Sequence, residues 1–364
     1  MHILKKILIT LSAILIVAIL GVTALVYSLT YHPSDLQQEK VTCKDNAPTL
    51  QPGQTIKVLN WNVQFMAGKK YVFFFDVPSG NGPHERPEPS EITKTLLEVA
   101  RIIKDEKPDI ILLQEMDEDA KRTDNQDQLV ELMKLLPNEY TCSSSAFYWR
   151  NKYLPHPRVK GSTGLKLSTI SKYKIESSVR HALAIIPADP ITKQFGLKRA
   201  VLESKMPIGN SKYISAMNTH LDAFAHGYDT MQRQIEYLKN LFNQRNAEKV
   251  DWFIGGDFNL LPPNFDLSTL YKTHQEFYSP KSEISVLFDS FKSAVPLEAM
   301  GGKDKESYYT HIANDPDLQG KADRTIDYIF HSDGLKTTSY RVRQKDTREI
   351  SDHLPLIVEF QLPN

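Results

Sequence analysis

Cysteine is nearly absent from this chain of 364 residues, which holds only Cys43 and Cys142. Neither lies in the polar clusters that carry the chemistry, so a thiolate zinc centre is disfavoured. No cysteine follows the N-terminal apolar run in a lipobox, which argues against a lipoprotein. Charge of either sign is not in excess, with 44 Lys and Arg against 44 Asp and Glu. Setting aside Lys5 and Lys6 takes the 44 basic residues to 42. A protein that grips long nucleic acid usually has a clear basic surplus. The balance tilts against a dedicated nuclease, although a neutral total can hide a local basic patch. Internal repeats and low-complexity tracts are also missing. What remains, 41% hydrophobic and 24% charged, is ordinary globular composition.

The long apolar run that is present lies at the N-terminus. Ile7 to Tyr27 carries no charge, and such a run spans roughly 32 Å as a helix, enough to cross a bilayer. Lys5 and Lys6 precede it, so the positive-inside rule keeps the N-terminus cytoplasmic and exports the rest. The competing reading is a cleaved signal peptide, for which Val22-Thr23-Ala24 supplies small residues. Residues 1–28 are therefore expected to be a transmembrane anchor or a signal peptide. Residues 29–54, polar and with three prolines, read as a tether, and residues 55–364 as one catalytic domain. An even pair of cysteines in an exported chain suits a disulfide. Sequence cannot place the two sulfurs within bonding distance, so bridge and free thiols both stay open.

Within the domain, short apolar runs stop on polar residues again and again. VLNWN ends at Asn62, DIILLQE at Glu115, YISAMNTHLD holds His220, VDWFIGGDFN holds Asp257 and Asn259, and TIDYIFHS carries Asp327. Asp352 and His353, in SDHLP, open the last run, LIVEF. Apolar runs of this length are buried strands, and a polar residue at such a strand's mouth is held at the rim of the sheet. The set is rich in oxygen ligands with two imidazoles, which suits Mg²⁺ or Mn²⁺ acting on a phosphate. Asp257 and Asn259, two apart in extended chain, should share one face. Gly255 and Gly256 should let the backbone bend and approach a ligand closely.

These motifs, in this order over roughly residues 55 to 362, resemble the endonuclease/exonuclease/phosphatase superfamily, here as a membrane-anchored, bacterial-type member. That superfamily includes pancreatic-type deoxyribonucleases, abasic-site endonucleases, neutral sphingomyelinases and inositol polyphosphate 5-phosphatases. The resemblance implies a four-layer α/β sandwich, with two mixed β-sheets packed face to face and helices outside. It implies Mg²⁺, with Mn²⁺ as the alternative, held by Asn62, Glu115 and Asp352. Asp257 would orient or deprotonate the attacking water, and Asn259 would donate to a phosphoryl oxygen. Asp327 would hold His353, which acts as base or as cation, and His220 would stabilise developing charge. The implied activity is phosphodiester hydrolysis, with a lipid or envelope headgroup favoured by the aromatic insertion and the anchor. An exported nuclease is the alternative, and a non-catalytic binding module the third reading. A monomer working outside the cytoplasm is expected.

Connections are less readable. FMAGKKYVFFFDVPSGNGPHERPEP is a long aromatic loop of the kind often tied to function. Helices are expected from Ser90, as N-cap, to Glu106, from Asp127 to Leu136 and from Gly227 to Phe242. Tyr140 to Phe147 reads as a strand. His156, Arg158 and His311 read as solvated loop residues that can also reach substrate. Arg233 and Gln234 read as structural. Lys166 interrupts an apolar run, and Pro262 to Lys321 is loop-rich.

Overall fold

Apolar residues alternating along short extended runs build two sheets, and the computed structural model describes residues 2–76, 80–209, 212–223, 225, 227–313 and 320–364. Met1, part of the aromatic insertion and part of Pro262–Lys321 lie outside the described residues. The chain opens with α1 (His2–Leu29), β1 (Leu36–Glu39), β2 (Val41–Cys43), β3 (Thr55–Asn62), α2 (Pro89–Glu106) and β4 (Ile110–Asp117). It continues through α3 (Gln128–Leu135), β5 (Cys142–Leu154), β6 (Gly161–Ser171), β7 (Ser177–Ala182), α4 (Pro190–Phe195), β8 (Ala200–Ile208) and β9 (Lys212–His220). Then come α5 (Thr230–Ala247), β10 (Asp251–Asp257), α6 (Lys272–Gln275), α7 (Ser285–Ser290), β11 (Lys292–Ser293) and α8 (Leu297–Gly301). Strands β12 (Asp327–His331), β13 (Lys336–Val342) and β14 (Leu356–Gln361) close it.

Two mixed seven-stranded sheets result, ordered β13-β14-β3-β4-β6-β5-β2 and β1-β7-β8-β9-β10-β12-β11. Their inner faces meet in one core, where Ile56, Val58, Leu112 and Phe360 of the first sheet join Ala216 and Phe253 of the second. Alternate residues of β3 and β4, Leu59, Trp61, Ile111 and Leu113, point outward and pack under α2 and α3. This is the expected α/β sandwich.

Local chemistry sets the helix ends. The Asp127 carboxylate accepts from the amides of Leu129 and Val130 at 3.1 and 3.3 Å, capping α3. Ser90 is not the cap of α2: Glu88 holds that position and Pro89, with its fixed φ, begins the helix. The third helix runs later than expected, Thr230–Ala247, and the strand expected to end at Phe147 continues to Leu154. Lys166 is buried and pairs with Glu118 and Asp127, which explains its tolerance inside an apolar strand.

Residues 29–54 are not a free tether. β1 pairs with β7 on one sheet, β2 pairs with β5 on the other, and Leu50 is buried beside Ile208. Cys43 and Cys142 face each other in that β2–β5 register and form a disulfide. Polar composition hid this because edge strands need only alternate burial, and the segment's exposed half dominates its sequence. Helix α1 has no buried residue, and its most apolar window has a mean hydropathy of 2.7. It is long and apolar enough to cross a membrane, as a signal sequence also is.

One buried ion cluster gives a stability test. Glu203 accepts from Ser215 Oγ at 2.6 Å, meets His181 Nε2 at 2.8 Å, and takes both Nε and Nη2 of Arg245 at 2.6 and 2.7 Å. Burial works to raise its pKa, but Arg245, His181 and Ser215 together bring it down to about 2 from 4.5. A depressed carboxyl stabilises the fold above its unfolded pKa and loses that contribution as pH falls through the folded one. The drop corresponds to at most about 3 kcal/mol. Wild type should therefore melt above Glu203→Gln at about pH 7, with the gap closing toward about pH 2 to 3. A gap independent of pH would contradict the assignment.

Candidate active site

Strand register lines up the second sheet's polar ends. Asp257 lies opposite His220 in the parallel β10–β9 pair and opposite Asp327 in the antiparallel β10–β12 pair. His220 Nε2 comes to 3.3 Å from Asp257 Oδ2, and His353 Nε2 to 3.4 Å from the same oxygen. His353 Nδ1 meets Asp327 Oδ2 at 2.8 Å. The first sheet supplies Asn62 at the end of β3, whose amide donates to Glu115 Oε1 and Asp257 Oδ2, each at 3.1 Å. One amide thus joins the two sheets at their mouth.

Glu115 reaches this point through a bulge. Gln114 already faces the inner side, bonding Asn60 and Asn218, so plain alternation would send Glu115 outward. The β4–β6 register shifts between Leu113 and Met116, and Glu115 takes φ 59°, which re-aims its carboxylate toward Asn62. Gln64, Phe65 and Met66, just after β3, also have positive φ. Such strain in non-glycine residues tends to cluster at working sites.

Two expectations about β10 change. Gly255 and Gly256 lie inside the strand, not in a bend, and what approaches is protein rather than ligand. A Cβ on Gly256 would stand 2.3 Å from Thr219 O, and one on Gly255 would stand 2.7 Å from Leu112 Cδ1. Asn259 lies past the strand with φ 52°, so it does not share an extended face with Asp257. Instead its amide N–H donates to Asp257 Oδ1 at 3.0 Å and its side chain to Leu221 O at 3.1 Å.

Burial and charge set the protonation states. Burial pushes the Glu115 carboxyl up, and the neighbouring Asp352 adds to it. Burial also raises Asp257, to about 7, with His353 opposing and Asp327 assisting. Burial disfavours charge on His353, but Asp327 and Asp257 outweigh it and hold the imidazolium well above its ordinary range. His220 is held neutral by burial first and by Arg199 and His353 second.

Glu115, His220, Asp257, Asn259, Asp352 and His353 all line one cavity of about 460 Å³. Asn62 and Asp327 stand behind this wall and touch it only through their partners. Among the described residues, two groups bring ligand atoms within 4.8 Å of one another: His311, Asp352 and His353, and Asp257, Asp327 and His353. Asp352 alone is shared with the expected ligand trio; Asn62 and Glu115 are in neither group. A divalent cation fits the donor chemistry. Glu115 and Asp352 repel each other, and the buried Asp327 Oδ1 and His311 Nδ1 have no hydrogen-bond partner among the described residues.

Several residues here were not legible in the motifs. His311 is half-buried, with its ring 4.8 Å from that of His353. Arg122 pairs with Asp117 and lies 3.5 Å over Phe65; Arg199 pairs with Asp222 and Arg324 with Asp323. All three guanidinium groups line the cavity, as does His156, stacked on Phe74. Arg158 lies over Phe74 and lines the neighbouring pocket instead. Gln234 bonds Asp222 and Ala184, a structural role. Beneath the site, Asn60, Gln114 and Asn218 form a buried network between the sheets. Their signal was a polar residue one or two positions before each strand-end residue.

Residues 59–353 match the endonuclease/exonuclease/phosphatase family. The chain belongs to that family. Among solved structures it is similar to an endonuclease/exonuclease/phosphatase from Beutenbergia cavernae, at 18% identity and TM-score 0.57, covering 85% of this chain and 72% of that one. It is also similar to the human Nocturnin catalytic domain with bound sulfate anion, at 18% identity and TM-score 0.50, covering 89% and 97%. TDP2 from C. elegans is similar at 16% identity and TM-score 0.50, covering 85% and 76%. At these identities the likeness shows the fold of the family. Comparison with curated proteins gives no match.

Proposed function

We propose that this family member is a divalent-metal-dependent phosphohydrolase that cleaves a phosphodiester by in-line attack of water. The observation that carries the proposal is the meeting of Asn62, His220 and His353 at Asp257 Oδ2, with Glu115 3.9 Å from His220 and Asp352 lining the same cavity. Glu115, Asn62 and Asp352 would hold Mg²⁺, with Mn²⁺ as the alternative. Bound there, the ion would stabilise negative charge on the phosphoryl oxygens.

The chain's own residues do the rest. Asp257, its carboxyl raised toward neutrality, orients the water and takes its proton. As the water oxygen bonds to phosphorus, the bond to the leaving oxygen breaks, and that oxygen takes up a proton. Asp327 fixes Nδ1–H of His353 and so turns the protonated Nε2 toward Asp257 and the cavity. His353 is thus a cation toward the phosphate. Asn259 uses one amide hydrogen on Leu221 O and keeps a second for a phosphoryl oxygen. His220 stays neutral and can donate to developing charge.

A nuclease of the same fold is the second reading, and the family comparison sits closer to it than to a lipid headgroup. Phe74, Phe75 and Trp149 line the cavity with Arg122, which suits stacked bases and a backbone phosphate. The test is a panel: bis(p-nitrophenyl) phosphate, p-nitrophenyl phosphate, single- and double-stranded DNA, and phospholipid vesicles. Chelator should abolish hydrolysis, and Mg²⁺ or Mn²⁺ should restore it. Full activity in excess chelator would sink the proposal.

A further inference from the structure

Helix α1 leaves the domain at the catalytic end of both sheets. On the first sheet, the strand ends at Asn62 and Glu115 lie level with Lys166 of β6, which pairs with Phe147 of β5. Thr30, immediately after α1, pairs with Asn151, farther along β5 in the same direction. On the second sheet, Leu36 pairs with His181, His181 with Val201, and Val201 with Thr219, one residue from His220. The chain before Leu36 continues past that level, since Ala182 N donates to Asp35 O. Both sheets give the same direction.

The junction is short and fastened. Tyr31 to Asp35 alone separate the Thr30 bridge from β1, and pairing of β1 and β2, with the Cys43–Cys142 disulfide, pins the chain to the sheets directly beyond it. Tyr31, His32 and Pro33 line a cavity that shares Ile186 and Arg199 with the active-site cavity. Exposed apolar side chains stand beside this exit, Tyr153 of β5 at 44% and Ile191 at 60% exposure, and Phe75, at 41%, lines the active-site cavity. Ile191 belongs to α4, which lies against α1 and whose Phe195 carbonyl accepts from Trp149 and Asn151. Exposed Arg150, Lys152, Lys160 and Lys193 are interspersed, with Asp189 capping α4. Aromatic and basic residues beside the end of an apolar helix match a headgroup layer.

We propose that the domain is held with its active-site mouth against the bilayer, and that its substrate is a phosphodiester carried by a membrane lipid. This rests on the phosphohydrolase reading of the same site. Water would add to the lipid phosphorus, and the P–O bond to the leaving alcohol would break, releasing that alcohol with its proton. A domain on a loose tether would sample every orientation; this one is fixed by strand pairing on both sheets.

The test uses the full chain in phosphatidylcholine–phosphatidylglycerol vesicles. Both native cysteines are bridged, so single reporters can be placed through Tyr153→Cys, Ile191→Cys and Glu139→Cys. Glu139 precedes β5 at its other end, and the strand from Cys142 to Tyr153 spans roughly 35 Å. Headgroup nitroxide lipids should quench the reporters at 153 and 191 and spare the one at 139. A Gly/Ser insert of about 30 residues between Leu29 and Thr30 should remove that difference. With it, hydrolysis of vesicle-borne phosphatidyl-p-nitrophenol should fall about tenfold, while soluble bis(p-nitrophenyl) phosphate is cleaved as before.

Equal quenching at all three sites, a mature chain beginning near Leu25, or DNA cleaved in preference to the vesicle ester with no effect of the insert would each overturn the proposal. Failure to cleave bis(p-nitrophenyl) phosphate would instead count against the phosphohydrolase reading. The quenching pattern reports orientation whatever the activity.

Discussion

Alanine at His353 is expected to lower kcat/KM by about 10²-fold or more, the usual loss when one group that stabilises transition-state charge is removed. Asp327→Ala should cost a similar amount, because its carboxylate holds His353 Nδ1 at 2.8 Å and so sets the orientation of that ring. The double variant should be little worse than the poorer single one, since residues acting as a unit are strongly non-additive. If Asp327 were only a buried strand-end residue, its loss would leave the rate nearly unchanged, or the two losses would multiply. Rates for the four enzymes on one phosphodiester, with matched melting temperatures, separate these cases.

Asp257→Asn should be more damaging still, by roughly 10³-fold in kcat. The substitution keeps size and shape, and it removes the carboxylate that Asn62, His220 and His353 all approach. It also removes the partner that helps keep His353 protonated. The wild-type pH–rate profile should therefore show an acidic limb, with activity rising as the Asp257 carboxyl ionises near about 7. That limb should be missing from the residual activity of Asp257→Asn. A variant that keeps both rate and limb would remove Asp257 from the role of base.

The site residues most legible in the sequence share one property: each adjoins an apolar run. Asn62, Glu115, His220 and Asp257 close such a run and Asp327 opens one, so burial of the run fixes the strand and the strand fixes its mouth. The fold class came from the family resemblance that these motifs carry in their order along the chain. What could not be read depended on contacts across the chain. Arg199 needs Asp222, Arg122 needs Asp117, and Cys43 needs Cys142, and no spacing rule reveals such pairings. His311 looked like a loop histidine because its place in the site comes from bridges to Arg324 and His353, not from its own neighbours in sequence. The tether was misjudged for a related reason. Edge strands take half their environment from solvent, so β1 and β2 keep a polar composition while pairing with both sheets.

Asn62 and Glu115 test the metal part of the assignment most directly, and Glu115 is the better choice because it lines the cavity. The measurement is a Mg²⁺ titration of wild type and Glu115→Gln, tracked by calorimetry and by the rate on bis(p-nitrophenyl) phosphate. Wild type should bind Mg²⁺ and reach full rate along the same curve. Glu115→Gln should shift both curves together to higher Mg²⁺, by roughly tenfold or more. Superimposable binding curves for the two proteins, or a rate that does not track Mg²⁺ in wild type, would contradict a metal-dependent centre built on Glu115.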